Sequence, residues 1–551
     1  MNLSRYTFLI SFLLIMSFQL RAQEGSDRVP RPKLVVGIMV DQMRADYLYR
    51  YYDRYGEGGF KRMLKEGFSN DNTYINHIPT VTGIGHSTVW TGTVPAVHGI
   101  TGNSFSFNST GERTNCVGDE SVESVGTESS SGKRSPTHLM VTTVGDELKL
   151  ATNFRSKVIG ISLKDRGAIL PAGHSADAAY WFQSTEGRWI SSTYYMDQLP
   201  QWVTQFNGQN RAKQYLDQDW NTLYDINTYT QSSADDVPWE GKPSGKDSPT
   251  FPYELSKMYK EDDYGTIYNT PYGNSILVDF AKEAIEKEQL GQRGETDLLA
   301  MSFSSTDGIG HRYGPNSIEI EDTYLRLDRD LEDFFKYLDD KIGEGNYTVF
   351  LTADHGAEHN SQFLAANKIK VNPMESSIQK DLNELLFKEF RVENLVRSLG
   401  YAQVHFDYQL IEKYNIDEQE VRDVCMQYLR RNPEVIFAVD MHNVGNASVP
   451  EEILIRIKNG HHPDRSGAIQ LIFNPNTQSL SSTGVGHSDW NPYDAKIPLV
   501  WMGWGIKKGG RSVKQSHMID IAPTLASLLR ITPPNGNIGK ALEETMNDED
   551  L

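Results

Sequence analysis

Cysteine is almost missing from this chain, with two residues, Cys116 and Cys425, in 551. Neither belongs to a CxxC pair, which excludes a disulfide framework and a cysteine-built metal site. Basic residues are short in supply as well: 54 Lys and Arg face 73 Asp and Glu, for a formal charge of −19. No block concentrates the cations, so no nucleic-acid partner is expected, and an anionic substrate would need a locally positive site. Long apolar runs are lacking. The run at about residues 8–18 falls short of the ~18 to 20 residues a membrane-spanning helix needs, and no later segment supplies them. Repeats and low-complexity tracts are absent too, and 38% hydrophobic residues suffice for a substantial core, which excludes a disordered or fibrous chain.

The short N-terminal run is informative in its own right. Arg5 precedes it and Ala22 closes it before a polar stretch, the pattern of a secretory signal spanning residues 1–22 and cut after Ala22. A periplasmic or secreted protein without stable membrane insertion is expected. Further on, LVVGIMV at 34–40 is a continuous apolar run rich in β-branched residues, as in a strand buried on both faces of a parallel sheet. Comparable runs are KVIGISL at 157–163, DLLAMSF at 297–303, YTVFLT at 347–352 and IPLVWM at 497–502. Amphipathic helical patterns lie between them, most clearly Tyr324, Leu327, Leu331, Phe334, Phe335, Leu338 and Ile342. This alternation predicts a doubly wound α/β core with a mostly parallel sheet, a single domain over 33–541. Two stretches break the alternation and read as insertions, an aromatic-rich one at about 171–275, expected over the site, and an α+β one at about 361–465.

Candidate metal ligands cluster after the strands. The first run ends at Asp41, the third leads to Asp307 and His311, and the fourth leads to Asp354 and His355. Open α/β sheets bind ligands beyond the carboxyl ends of their strands, so these residues can converge although remote in sequence. His487, in a Gly-rich loop before IPLVWM, adds a further ligand. Taken singly, each has a plainer role: Asp41 as a helix N-cap, Asp307 and His311 as a surface pair at i and i+4, His487 as a structural loop histidine. Their recurrence after successive strands favours ligation, and Asp and His without Cys suit a pair of divalent ions, zinc first.

A second half of the site lies in IPTVTGIGHSTVWTG. Thr80 or Thr82 starts a short helical stretch, where free N–H groups and the helix dipole favour an anion. His86 and Ser87, adjacent on a helix, do not face each other and are rejected as a catalytic pair. In ISLKDRG, Lys164 and Arg166 are two apart at a strand end, so the pleat is expected to turn both to one side.

These segments resemble the alkaline phosphatase superfamily, most closely the PafA-type bacterial enzymes with a threonine nucleophile. The likeness runs end to end, through LVVGIMVDQMRADYL, PTVTGIGHS, VPAVHGITGN, SLKDRGAILPAGH, TDGIGHRYGPN, TADHGAEH and GHSDWNPYDAKIPLVWMGWGI. The resemblance implies that Thr82 rather than Thr80 is the nucleophile. It implies two zinc ions per chain, one held by Asp41, Asp354, His355 and the Thr82 oxygen, the other by Asp307, His311 and His487. Asn103, Lys164 and Arg166 would contact the non-bridging phosphate oxygens, while His359 stays outside the ligand set. Two zincs with those three aspartates and two cations sum to plus three, a field suited to a phosphomonoester dianion. The expected protein is thus a monomeric zinc-dependent phosphomonoesterase working through phosphothreonine. A nucleotide pyrophosphatase or phosphodiesterase is the nearest alternative, and a non-catalytic exported phosphate- or metal-binding protein comes from a different class. Sulfatases require a CxPxR-type sequence that neither cysteine provides.

Overall fold

The computed structural model describes residues 29–547 except 261–262, 375–376 and 479–482. The expected signal at 1–22 and its cleavage after Ala22 lie outside the described residues. Strand β1, Leu34–Val40, is buried along its whole length. Each large apolar side chain so buried contributes roughly 1.5–3 kcal/mol. Its neighbours explain why every position must be apolar. Asp297–Phe303 pairs in parallel on one side and Tyr347–Thr352 in parallel on the other, leaving no strand edge to solvent.

In chain order the other main strands are β2 (Val158–Ser162), β3 (Ala178–Gln183), β4 (Asp297–Phe303), β5 (Tyr347–Thr352) and β6 (Leu499–Gly503). They lie side by side as β6-β5-β1-β4-β2-β3, the centre of a ten-stranded sheet. From β5 to β3 all pairings are parallel. Four helices matter for the site: α1 (Thr82–Thr91), α2 (Asp165–Ala172), α3 (Ser305–Tyr313) and α4 (Ile318–Lys341). The periodic apolar stripe of α4 is buried, and the Ser317 side chain caps its start by accepting the Ile320 N–H.

Three local readings are corrected. The run at 497–502 is not one parallel strand: Pro498, which has no N–H to donate, divides it. Lys496–Ile497 pairs with Thr73–Tyr74 in a small separate sheet, and β6 runs antiparallel to β5. The run at 157–163 stops at Ser162, so Lys164 and Arg166 share no strand face; Lys164 is the N-cap of α2 and Arg166 lies in its first turn. Finally, the aromatic segment AAYWF, placed above within an insertion, is part of β3 and pairs with β2. Its side chains are aromatic because they are buried against the helical layer, as where Tyr180 meets Phe280 edge-on.

The 361–465 region carries a four-stranded sheet, Val396–Gly400, Gln403–Phe406, Ile469–Phe473 and Val435–Asp440 in spatial order, which extends beyond residue 465. Helices Ile378–Phe390 and Glu418–Leu429 pack on it around a core of their own that includes Leu382, Leu386, Val421 and Cys425. Cys116 and Cys425 are both free and buried.

Candidate active site

Parallel pairing delivers the candidate ligands to one edge. Asp41 follows β1 directly, and its N–H donates to Phe303 O at 3.0 Å, fixing it beside the end of β4. Asp307 sits in the first turn of α3 and His311 in the last, while Asp354 and His355 follow β5. His487 comes from its loop, and its Nδ1 meets Thr80 O at 2.7 Å, so that Nε2 faces the other ligands. His311 is oriented likewise by Val485 O at 2.9 Å, and His355 by Gly356 O at 3.0 Å.

The ligand atoms form two overlapping groups, Asp41 with Asp354 and His355, and Asp307 with His355 and His487, each within 4.8 Å. His355 and His487 stack with ring centroids 3.6 Å apart. His311 Nε2 lies 3.1 Å from Asp307 Oδ1, and His487 Nε2 lies 3.8 Å from the same oxygen. All six expected Asp and His ligands therefore meet in one cluster, with His355 between the two groups. His359 does not join it; Asn316 contacts its Nδ1 at 2.9 Å and its ring stacks on Phe363.

The electrostatics of the cluster suit cations. Asp41, Asp354 and His355 are fully buried, yet Asp41 Oδ1, Asp354 Oδ2 and His355 Nε2 have no hydrogen-bond partner. Buried polar atoms are normally satisfied, and three orphans from one ligand trio fit a metal ion. Burial, then the neighbouring Asp41, push the Asp354 carboxyl well above the usual range. Burial also favours the neutral imidazoles of His355 and His487, the ligating form. Against Asp307, burial is outweighed by Lys164 and the histidines, and its pKa falls well below normal.

The anion half adjoins this cluster. Lys164 Nζ donates to Asp41 Oδ2 at 2.5 Å, Asp307 Oδ2 at 2.7 Å and Thr82 Oγ1 at 3.4 Å. Burial weighs against this ammonium, but Asp307 and Asp41 outweigh it and hold it charged. Arg166 leaves Nε unpaired, with Nη1 3.5 Å from Asp165. Thr82 opens α1, whereas the Thr80 hydroxyl is committed to Asp489 O at 3.0 Å. Asn103 Oδ1 accepts the Gly83 N–H at 2.8 Å, tying that loop to the first turn of α1. His86 is engaged through both ring nitrogens, with Thr82 O and Ser302 Oγ.

Sequence reasoning missed three contributors. Gln42, at φ 63°, donates from its backbone to Asp354 Oδ1 at 3.1 Å and from Nε2 to Asp307 Oδ1 at 2.8 Å, bracing one ligand from each group. Its side chain is why position 310 is glycine: a Cβ there would stand 1.9 Å from Gln42 Oε1. Tyr268, from the aromatic-rich segment, reaches Asp307 Oδ2 at 3.4 Å and packs near Lys164. Tyr401, in the turn between the strands Val396–Gly400 and Gln403–Phe406, accepts the Asn103 N–H at 3.1 Å. The one local signal among them is Gln42's position beside Asp41; the tyrosines arrive through tertiary packing alone.

Fold and site together define an α/β protein organised around a carboxylate and imidazole cluster that could hold metal. The model of the type I phosphodiesterase / nucleotide pyrophosphatase family matches residues 35–494. The chain is 49% identical to alkaline phosphatase PafA of Elizabethkingia meningoseptica, over 97% of this chain and 98% of that protein. It is 54% identical to a protein of Myroides odoratus named calcium-transporting ATPase, over 95% of this chain and 96% of that one. A crystal structure of a PafA variant, with one threonine, one asparagine, one lysine and one arginine replaced, superposes with a TM-score of 0.92 at 48% identity, covering 95% of this chain and 100% of that one. The chain belongs to the type I phosphodiesterase / nucleotide pyrophosphatase family within the alkaline phosphatase superfamily, in its PafA-type branch.

Proposed function

We propose that this chain is a zinc-dependent alkaline phosphatase that hydrolyses phosphate monoesters through a phosphothreonine at Thr82. The carrying observation is one junction: Lys164 Nζ touches the Thr82 hydroxyl, Asp41 and Asp307, so nucleophile, cation and both ligand groups meet there. Asp41, Asp354 and His355 would hold one zinc with the Thr82 oxygen, and Asp307, His311 and His487 the other; the orphaned buried atoms support the first set, and the closeness of His311 and His487 to Asp307 supports the second. When bound, two such ions supply Lewis acidity and make an oxygen nucleophile available at mildly alkaline pH.

The chain's own groups do the rest. Thr82 Oγ1 attacks phosphorus from the start of α1, where helix N–H groups and the dipole favour the anion. The ester P–O bond breaks, the alcohol leaves, and water then hydrolyses the phosphothreonine to release phosphate and free Thr82. Lys164, Arg166 and the Asn103 NH2 hold the non-bridging oxygens as charge develops. Residues of these four types are the ones replaced in the PafA variant.

The family description favours a second reading, hydrolysis of phosphodiesters. Lys164 beside Thr82, with Arg166 in the first turn of α2, favours the dianionic monoester, since a diester carries one charge and brings a second organic group. The ATPase name of the Myroides relative shares P–O cleavage with this chemistry, and no described helix is long and apolar enough to cross a membrane. Export through the 1–22 signal, and action as a monomer in the periplasm or medium, complete the proposal; a mature chain beginning at Gln23 by mass spectrometry is expected. The deciding assay compares p-nitrophenyl phosphate with bis-p-nitrophenyl phosphate before chelation, after it, and after zinc return. Monoester preference that vanishes and returns with zinc supports the proposal; diester preference, or activity indifferent to chelation, overturns it.

A further inference from the structure

The second insertion reaches the site through a strained turn. Its strands Val396–Gly400 and Gln403–Phe406 form a hairpin in which Gly400 pairs with Gln403, leaving a two-residue loop, Tyr401 and Ala402. Both have positive φ, 53° and 56°. Such loops ordinarily take Asn-Gly or Gly-Gly, because side chains disfavour this backbone at both positions. Tyr-Ala here is a conformation maintained against local preference, which points to function at the tip.

What the tip touches is the loop that carries Asn103. Tyr401 accepts the Asn103 N–H at 3.1 Å, and its ring fills the space beside Gly102, where a Cβ would meet it at 2.4 Å. Asn103 is held at two further points: its C=O accepts the Cys116 N–H at 3.0 Å, and its Oδ1 accepts the Gly83 N–H at 2.8 Å. Three of its four hydrogen-bonding groups are thus fixed by protein. The fourth, the side-chain NH2, is the donor left for a ligand. Of the three anchors, the bond to Tyr401 is the one made by the insertion.

We propose that Tyr401 is a positioning residue for phosphoryl binding, with the insertion completing the anion site by holding Asn103 in donor orientation. This rests on the phosphomonoesterase reading and deepens it. Tyr401→Phe retains the ring and removes the acceptor, so kcat/KM for p-nitrophenyl phosphate falls about tenfold, and inhibition by inorganic phosphate weakens in parallel. Zinc content and thermal midpoint stay at wild-type values. In an Asn103→Ala background the same substitution has little further effect, because the donor it orients is gone. Ala402→Gly, which suits the local backbone and keeps Tyr401, retains full activity.

Tyr401→Phe activity within about twofold of wild type, or an equal loss in both backgrounds, overturns the proposal. So does a loss accompanied by lost zinc or a lowered midpoint, since Tyr401 would then act through the fold. If wild type preferred the diester, the functional reading would fail separately, and the same cycle on bis-p-nitrophenyl phosphate would still decide the role of Tyr401.

Discussion

At the level of single residues, the Thr82 hydroxyl has a cation beside it and two carboxylates one contact further away. Thr82→Ala is expected to abolish steady turnover of p-nitrophenyl phosphate while metal analysis still finds both zincs, because the Asp and His ligands stay in place. Gln42→Leu keeps the volume but removes the donor to Asp307, and competition with a chelator is expected to show zinc affinity about 10- to 100-fold weaker. A third expectation concerns acid. Burial lowers His77 to about 3, so it is neutral when folded, whereas in the unfolded chain it takes up a proton below its ordinary 6.5. The stability it contributes is complete above that value and is lost as pH falls toward the folded pKa, by about 1.4 kcal/mol per pH unit. His77→Gln should therefore flatten the decline in denaturant stability between neutral and acidic pH. The six Asp and His residues that meet in the cluster could be picked out because each follows a recognisable run or sits in a Gly-rich loop. Tyr268 and Tyr401 could not, since nothing local distinguishes a tyrosine that will meet a residue 39 or 298 positions away.

Among the elements, α1 has the most exacting fit. Gly85 lets its first turns lie directly on the backbone of Asp354: a Cβ there would approach Asp354 O to 2.4 Å and Cα to 2.7 Å. Gly85→Ala is expected to push nucleophile and ligand apart, costing about 1–3 kcal/mol. A lowered thermal midpoint together with a fall in kcat would bear this out; an unchanged midpoint would show that the helix yields freely. Strand identity was readable where burial is two-sided, as in LVVGIMV. Strand direction was not: β6 is antiparallel, and an apolar run reads the same either way. AAYWF misled because aromatic clustering resembles a loop cover as readily as a strand buried under helices. Lys164 and Arg166 were expected together for the wrong reason, a shared pleat, when the chain had already turned into α2.

Across the whole molecule, three buried aspartates share a cluster with one buried lysine, so the fold has a negative centre that bound cations would relieve. Chelation should lower the thermal midpoint, and zinc should restore it in a concentration-dependent way. Calorimetry with and without chelator checks this; a midpoint indifferent to zinc would contradict it. The candidate ligands are also far apart in sequence, with Asp41 beside the first main strand and His487 just ahead of the last. Synthesis must therefore reach residue 487 before the last of these imidazoles exists. Capture of a metal by this proposed set would follow that step, and a nascent or truncated product ending short of that loop would lack one donor of the clasp, however well its sheet has formed.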